Sequence, residues 1–169
     1  LKGEVAVHAA RGEMKRAIET AGAYRTIFGP DRFYIEIQNN GVENQALLNQ
    51  RLAEIGRELC IPLSATNDCH YLHKKDARAH EVLLCIQTGK TLQESQRMRF
   101  PSDEFYFKSP QEMADLFRDA PEAINNTQVI AEQCNLELRF DDKHIPRITV
   151  PSGETADSYL EKLAEEGLE

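Results

Sequence analysis

No stretch of this chain approaches the roughly 20 consecutive apolar residues that crossing a bilayer requires, which excludes a helical membrane span. The start, Leu1-Lys2-Gly3-Glu4, lacks the apolar core of a secretory signal and lacks an initiator Met. The expectation is a fragment or a processed chain. Cysteines are few and scattered: Cys60, Cys69, Cys85 and Cys134 include no C-x-x-C pair. That argues against a zinc ribbon or a disulfide frame and for reduced intracellular thiols. Basic residues are outnumbered, 20 Lys and Arg against 28 Asp and Glu, for a net charge of −8. A dedicated nucleic-acid surface needs clustered Lys and Arg, so this balance argues against one here, while membership of a larger nucleic-acid enzyme stays open. The phosphate-binding loops G-x-x-x-x-G-K-[ST] and G-x-G-x-x-G and the nucleophile elbow G-x-S-x-G are missing. So are internal repeats, low-complexity tracts and coiled-coil heptads.

What is present is an ordinary soluble composition, 41% apolar and 28% charged, in 169 residues. That length suffices for one domain with a hydrophobic core. Met14, Ala17, Ile18, Ala21, Tyr24, Ile27 and Phe28 recur at helical spacing, and Gly29-Pro30 stops that helix. Phe33–Ile37 is aromatic and β-branched and predicts a strand, followed by a turn at Asn39-Asn40-Gly41. Residues 43–59 predict a helix with Leu47, Leu48, Leu52, Ile55 and Leu59 on one face. Ile61–Ala65 predicts a second strand. Residues 76–87 predict a helix facing the core with Ala79, Val82, Leu83 and Ile86. Strands alternating with helices imply parallel βα units, in which ligands gather at the C-terminal ends of strands. Further on, Phe105–Lys108 reads as a short extended piece. Ser109-Pro110-Gln111-Glu112 and Asp119-Ala120-Pro121-Glu122 read as helix starts. The second of these carries Ile124, Val129, Ile130 and Cys134. Residues 141–153 read as a linker, and residues 154–168 as a last amphipathic helix.

Asp68 and His70 follow the second predicted strand. In extended chain, positions i and i+2 point the same way, so the two side chains can meet one cation. A carboxylate with a neutral imidazole suits Zn²⁺, Mn²⁺ or Fe²⁺. The alternative is that Asp68 caps the next segment and His70 packs as an ordinary polar side chain. Two ligands fall short of the three that a catalytic zinc site takes from its protein. Glu36 sits in an apolar strand, where a buried carboxylate is costly unless it is paired or coordinated. It is a candidate ligand, base or ion-pair partner. Gln38 and Asn67, at neighbouring strand ends, are candidates for hydrogen bonds behind the ligands, with Asn67 a further candidate ligand. His80 reads as a half-buried packing residue and His73 as a surface one. His8 and His144 have no acidic or sulfur neighbour that marks them out. Lys90, Arg97 and Arg99 read as a solvated basic loop, and the acidic run from Glu161 to Glu169 as a solvated helix face.

Three segments carry a resemblance: Phe33-Tyr34-Ile35-Glu36-Ile37-Gln38, Ala65-Thr66-Asn67-Asp68-Cys69-His70-Tyr71, and His80 through Lys90. With Phe100-Pro101-Ser102-Asp103-Glu104-Phe105-Tyr106 and Gly153–Asp157, in this order, the sequence resembles the alpha subunit of bacterial DNA polymerase III over essentially its whole length. The resemblance implies an α/β fold, part of a distorted (β/α)7 barrel of the polymerase-and-histidinol-phosphatase (PHP) type followed by helical segments. Residues 1–140 would be the C-terminal part of that domain, 141–153 a linker and 154–169 the first helix of the polymerase region. Asp68-x-His70 matches the last metal-binding motif of the PHP cluster. The implied cofactors are Zn, Mn or Fe in that site and Mg in the polymerase site of the parent. The implied partners are DNA, deoxynucleotides, and proofreading and other replisome subunits in the cytoplasm, with no membrane. The implied activity is DNA-directed DNA synthesis by the parent, with metal-dependent 3′–5′ exonuclease proofreading in the PHP domain. The family's His-x-His motif and its polymerase aspartates have no counterpart in these residues, so the fragment alone is expected to be inactive. Other readings are a metal-free docking module for a proofreading subunit and a free-standing PHP phosphoesterase.

Overall fold

The computed structural model describes residues 3–138, 140, 146 and 148–168. The expected linker is described only in part: residues 141–145 and 147, His144 among them, lie outside the described residues, as does Glu169. The chain divides into two units, Leu1–Cys134 and Asn135–Glu169.

The first unit is mixed α/β. Two helices come first, α1 (Glu4–Ala10) and α2 (Met14–Phe28), followed by β1 (Ile35–Gln38), α3 (Gln45–Glu58) and β2 (Leu63–Thr66). A 3-10 turn, Lys74–Asp76, runs into α4 (Ala77–Thr88), and α5 (Pro110–Leu116) and α6 (Pro121–Gln133) complete the unit. β1 and β2 pair in parallel, Ile35 opposite Leu63 and Gln38 opposite Thr66. The βα unit expected from the alternation is therefore present. Among the described residues the sheet is two strands wide and open; a closed barrel is not seen.

Alternation along the strands sets the two faces of this sheet. Ile35, Ile37, Leu63 and Ala65 join Leu48, Leu52 and Ile55 of α3, and Phe117 and Ala123 from α5–α6, in one buried cluster. Ala17 and Ala21 of α2 extend it. The small side chains let the helices approach closely. Glu36 and Gln38 point the other way. Glu36 is exposed, which corrects its expected burial: Ile35-Glu36-Ile37 alternates in and out.

Other expectations also change. α1 was not anticipated. It places His8 Nδ1 2.6 Å from Glu13 Oε2, so His8 has the acidic partner that its sequence neighbourhood did not mark. In α4 the buried residues are Leu84 and Cys85. Leu83 and Ile86, expected inward, are 61% and 71% exposed, and Ala79 is exposed as well. Leu47 of α3 and Val129 of α6 also stand outside the core. Arg97 is no solvated loop residue: its side chain is 6% exposed and its Nη2 donates to Glu81 Oε1 at 2.5 Å. The helix after Asp119 starts one residue late, with Ala120 at the cap and no side-chain cap bond. The start at Ser109 is as expected, a capping box with Pro at the first helical position.

In the second unit, α7 (Ala156–Glu166) is capped by Thr155, whose Oγ1 accepts from the Ser158 N–H at 3.1 Å. None of its residues is buried. No helix among the described residues is long and apolar enough to cross a membrane.

Candidate metal centre

β2 ends at Thr66, and the chain continues through Asn67, Asp68 and Cys69 to His70. Backbone bonds fix this exit. The His70 N–H donates to Phe105 O at 2.8 Å, the Phe107 N–H donates to Tyr71 O at 3.0 Å, and Tyr71 bridges Tyr106 in parallel. The extended piece expected at residues 105–108 thus lies alongside the motif.

Asn40 ties the loops together from behind. Expected only as a turn residue, it is 1% exposed. Its N–H donates to Gln45 Oε1 at 2.8 Å, and its Nδ2 donates to Asn67 Oδ1 at 3.4 Å and to Glu104 O at 3.2 Å. Ser102 Oγ donates to Asn40 O at 2.5 Å. Asn67 Nδ2 donates to Tyr106 O at 2.8 Å. Both ends of the Asn67 amide are therefore used in holding loops, which suits support behind the site and would have to be undone for ligation. The turn needs Gly41 at φ +65°, a left-handed conformation that strains any side chain, although a Cβ there would meet Ser102 and Glu104 only at ordinary contact distance.

The structure brings Asp68 and His70 together. His70 Nδ1 lies 3.4 Å from Asp68 Oδ1, with 33% and 45% of the two side chains exposed. The same nitrogen is 3.3 Å from Asp68 O. With bonds of roughly 2.1 Å, two ligands on one tetrahedral cation stand about 3.4 Å apart. The pair thus fits as two ligands of a borderline divalent ion. A third is missing: no group of three or more His, Cys, Asp or Glu that could hold an ion exists among the described residues. Glu36 does not complete one. Its carboxylate accepts from Thr66 Oγ1 at 2.5 Å and from Gln38 Nε2 at 3.4 Å, and Gln38 Nε2 also reaches Thr66 Oγ1 at 3.2 Å. This cluster occupies the outward face of the sheet beside the C-terminal end of β2.

Aromatic rings pack against His70, and two of them, Phe100 and Phe105, had no site role in the sequence reading. Its ring centroid lies 4.4 Å from that of Phe100 and 5.7 Å from those of Phe105 and His80. His80 is half-buried, as expected. Burial, and secondarily the nearby His70, push its imidazole below the usual histidine range. His73 is exposed, also as expected. Glu81, held between Arg97 and Arg78, has its carboxyl lowered by those two hydrogen bonds. The signal for this surround was the aromatic run Phe100 to Phe107, but its partner lies 30 residues away and no local pattern links them.

No family model matches the chain. Over 149 residues it is 48% identical to the DNA polymerase III subunit alpha of Thermus aquaticus, an alignment covering 85% of this chain and 12% of that protein. It is 41% identical over 147 residues to the same subunit of Borreliella burgdorferi, covering 86% and 13%. It is 38% identical over 169 residues to that of Mycobacterium tuberculosis, covering 98% and 14%. The chain therefore spans 12% to 14% of the length of these relatives. Similarity at this level across most of its residues means that the chain belongs to the DNA polymerase III alpha subunit family, as the counterpart of one short stretch of those proteins.

Proposed function

We propose that this chain is part of the catalytic subunit of a replicative DNA polymerase and that Asp68 and His70 hold a divalent cation within it. The observation that carries the second half is the 3.4 Å approach of Asp68 Oδ1 to His70 Nδ1 at the exit of a parallel strand. Residues 1–140 act as the C-terminal part of a PHP domain, 141–153 as a linker and 154–169 as the first helix of the polymerase region. DNA and deoxynucleotides are the substrates of the longer protein, which works in the cytoplasm with proofreading and other replisome subunits. Primer extension uses Mg²⁺ in its polymerase site, and no residue of this chain is assigned to that step.

At the PHP site the ion is Zn²⁺, Mn²⁺ or Fe²⁺, and further ligands must come from beyond the described residues. Such an ion supplies positive charge that acidifies water for phosphodiester hydrolysis, the 3′–5′ exonuclease reading. This chain's own share is to orient the two donors. The Phe105 and Tyr106 carbonyls anchor the motif backbone and Asn67, and Asn40 braces Asn67 from the other side. Neither reaction is expected of these residues alone. The alternative is a metal-free docking module, in which the approach of His70 Nδ1 to Asp68 Oδ1 is an ordinary ion pair.

Metal analysis of the full-length subunit separates the two. Wild type is expected to retain bound transition metal after dialysis, and Asp68→Ala and His70→Ala to lose most of it. Equal metal content in all three would leave only the docking reading.

A further inference from the structure

His70 is held by more than its backbone. Phe100 touches three rings at once: His70 at 4.4 Å, Phe105 at 4.6 Å and His80 at 5.0 Å. Phe100 meets His70 at a tilt of 59°, and Phe105 and His80 meet it at 83° and 62°. Tilted and edge-on contacts at these separations are the preferred arrangements of π systems and resist rotation of the ring they surround. The imidazole is therefore confined on several sides, with Nδ1 directed to Asp68 Oδ1.

Phe100 is itself fixed from both directions along the chain. Three residues before it, Arg97 is buried against Glu81 of α4. Two residues after it, Ser102 Oγ donates to Asn40 O, and Glu104 O accepts from Asn40 Nδ2. Phe105, 5% exposed, closes the segment. A stretch anchored at Arg97, Ser102, Glu104 and Phe105 leaves Phe100 little freedom to withdraw. It does not hydrogen-bond to the motif, so its contribution to His70 is one of shape.

We infer that Phe100 is a positioning residue for His70, its ring holding the imidazole with Nδ1 turned toward Asp68. The inference rests on the reading that these two residues are ligands. In that setting the ring fixes a donor direction in advance, so that less ordering is left to the moment of binding. Residues that hydrogen-bond to a metal-binding histidine and orient it commonly change affinity by about 10–100-fold when altered, and a ring that acts by packing alone is expected at the low end of that range.

The test uses the full chain, isotopically labelled, at neutral pH, with Zn²⁺ alone as probe. The variants are Phe100→Ala, Phe100→Leu, which keeps bulk without a ring, and Met98→Ala, an exposed neighbour as control. In wild type the His70 ring protons should be displaced from free-imidazole positions by the ring current of Phe100. Phe100→Leu should return them toward those positions and weaken Zn²⁺ binding about tenfold. In a His70→Ala background it should have no further effect. Amide spectra of α3 and β2 show whether each variant is folded, and Phe100→Leu carries the test if Phe100→Ala is not. Unchanged His70 ring shifts in Phe100→Leu, or an equal loss of Zn²⁺ affinity without His70, would overturn the inference. Should wild type take up no Zn²⁺, the ligands beyond these residues are required for uptake, metal analysis of the full-length subunit decides the ligand reading, and the ring-shift comparison alone decides the positioning claim.

Discussion

Gly56 lies inside α3, a place where alanine is ordinarily the better residue by roughly 0.5–1 kcal/mol. Here the surroundings reverse that preference. A Cβ at Gly56 would sit 2.9 Å from Ile61 O and 3.0 Å from Leu63 Cδ2. The first of these is backbone, and it belongs to the turn in which the Ile61 N–H donates to Gly56 O at 2.8 Å. The carbonyl cannot yield without shifting the start of β2, the strand that delivers Asp68, and Leu63 Cδ2 would have to rotate away within the core. Gly56→Ala is therefore expected to destabilise, by about 1–3 kcal/mol as for other overpacked cores. Urea denaturation of the two proteins measures it, and a gain in midpoint would show that the turn relaxes freely.

At the scale of elements, α5 shows how a short helix depends on its start. Seven residues make a helix too short to persist on propensity alone. Ser109 Oγ accepts from the Glu112 N–H at 3.3 Å, and Glu112 Oε2 accepts from the Ser109 N–H at 2.8 Å. The Tyr106 hydroxyl donates to Glu112 Oε1 at 2.6 Å. That hydrogen bond is the largest cause lowering the Glu112 carboxyl to about 2 and raising the Tyr106 hydroxyl to about 12. A depressed carboxyl contributes stability above its unfolded pKa, and the contribution is lost as pH falls from about 4.5 to about 2. A raised phenol contributes below its unfolded pKa, and the contribution is lost as pH rises from about 10 to about 12. Glu112→Gln should flatten the acid limb of the stability profile over that window. Ser109→Ala should cost about 1 kcal/mol at neutral pH. An acid limb identical in Glu112→Gln and wild type would remove Glu112 from this role. The box itself was legible in Ser109-Pro110-Gln111-Glu112, because capping is a contact across three residues. The inward face of α4 was not legible. Val82, Leu83, Leu84, Cys85 and Ile86 are consecutive apolar residues, so periodicity offers more than one stripe, and only tertiary packing selects Leu84 and Cys85.

For the whole molecule, the same distinction between near and distant contacts decides what a sequence reveals. β1, α3 and β2 lie close to their expected bounds because alternation, leucine spacing and turn residues are local signals. The exposure of Glu36 was also within reach of alternation, whereas Arg97 with Glu81 and His70 with Phe100 pair across 16 and 30 residues. The two units differ in the same respect. Every member of the hydrophobic cluster lies between Val5 and Ile124, within Leu1–Cys134. α7 buries none of its residues, and Leu160 and Leu163 are 66% and 46% exposed. Burial of apolar area is the main favourable term in folding, so the stability of the first unit should not depend on the second. A chain ending at Cys134 is expected to melt within about 2 °C of residues 1–169, which for this size corresponds to under roughly 1 kcal/mol. Differential scanning calorimetry of the two chains makes the comparison. A larger drop on truncation would mean that residues 135–169 carry part of the cooperative fold, and the proposed boundary near residue 140 would have to move.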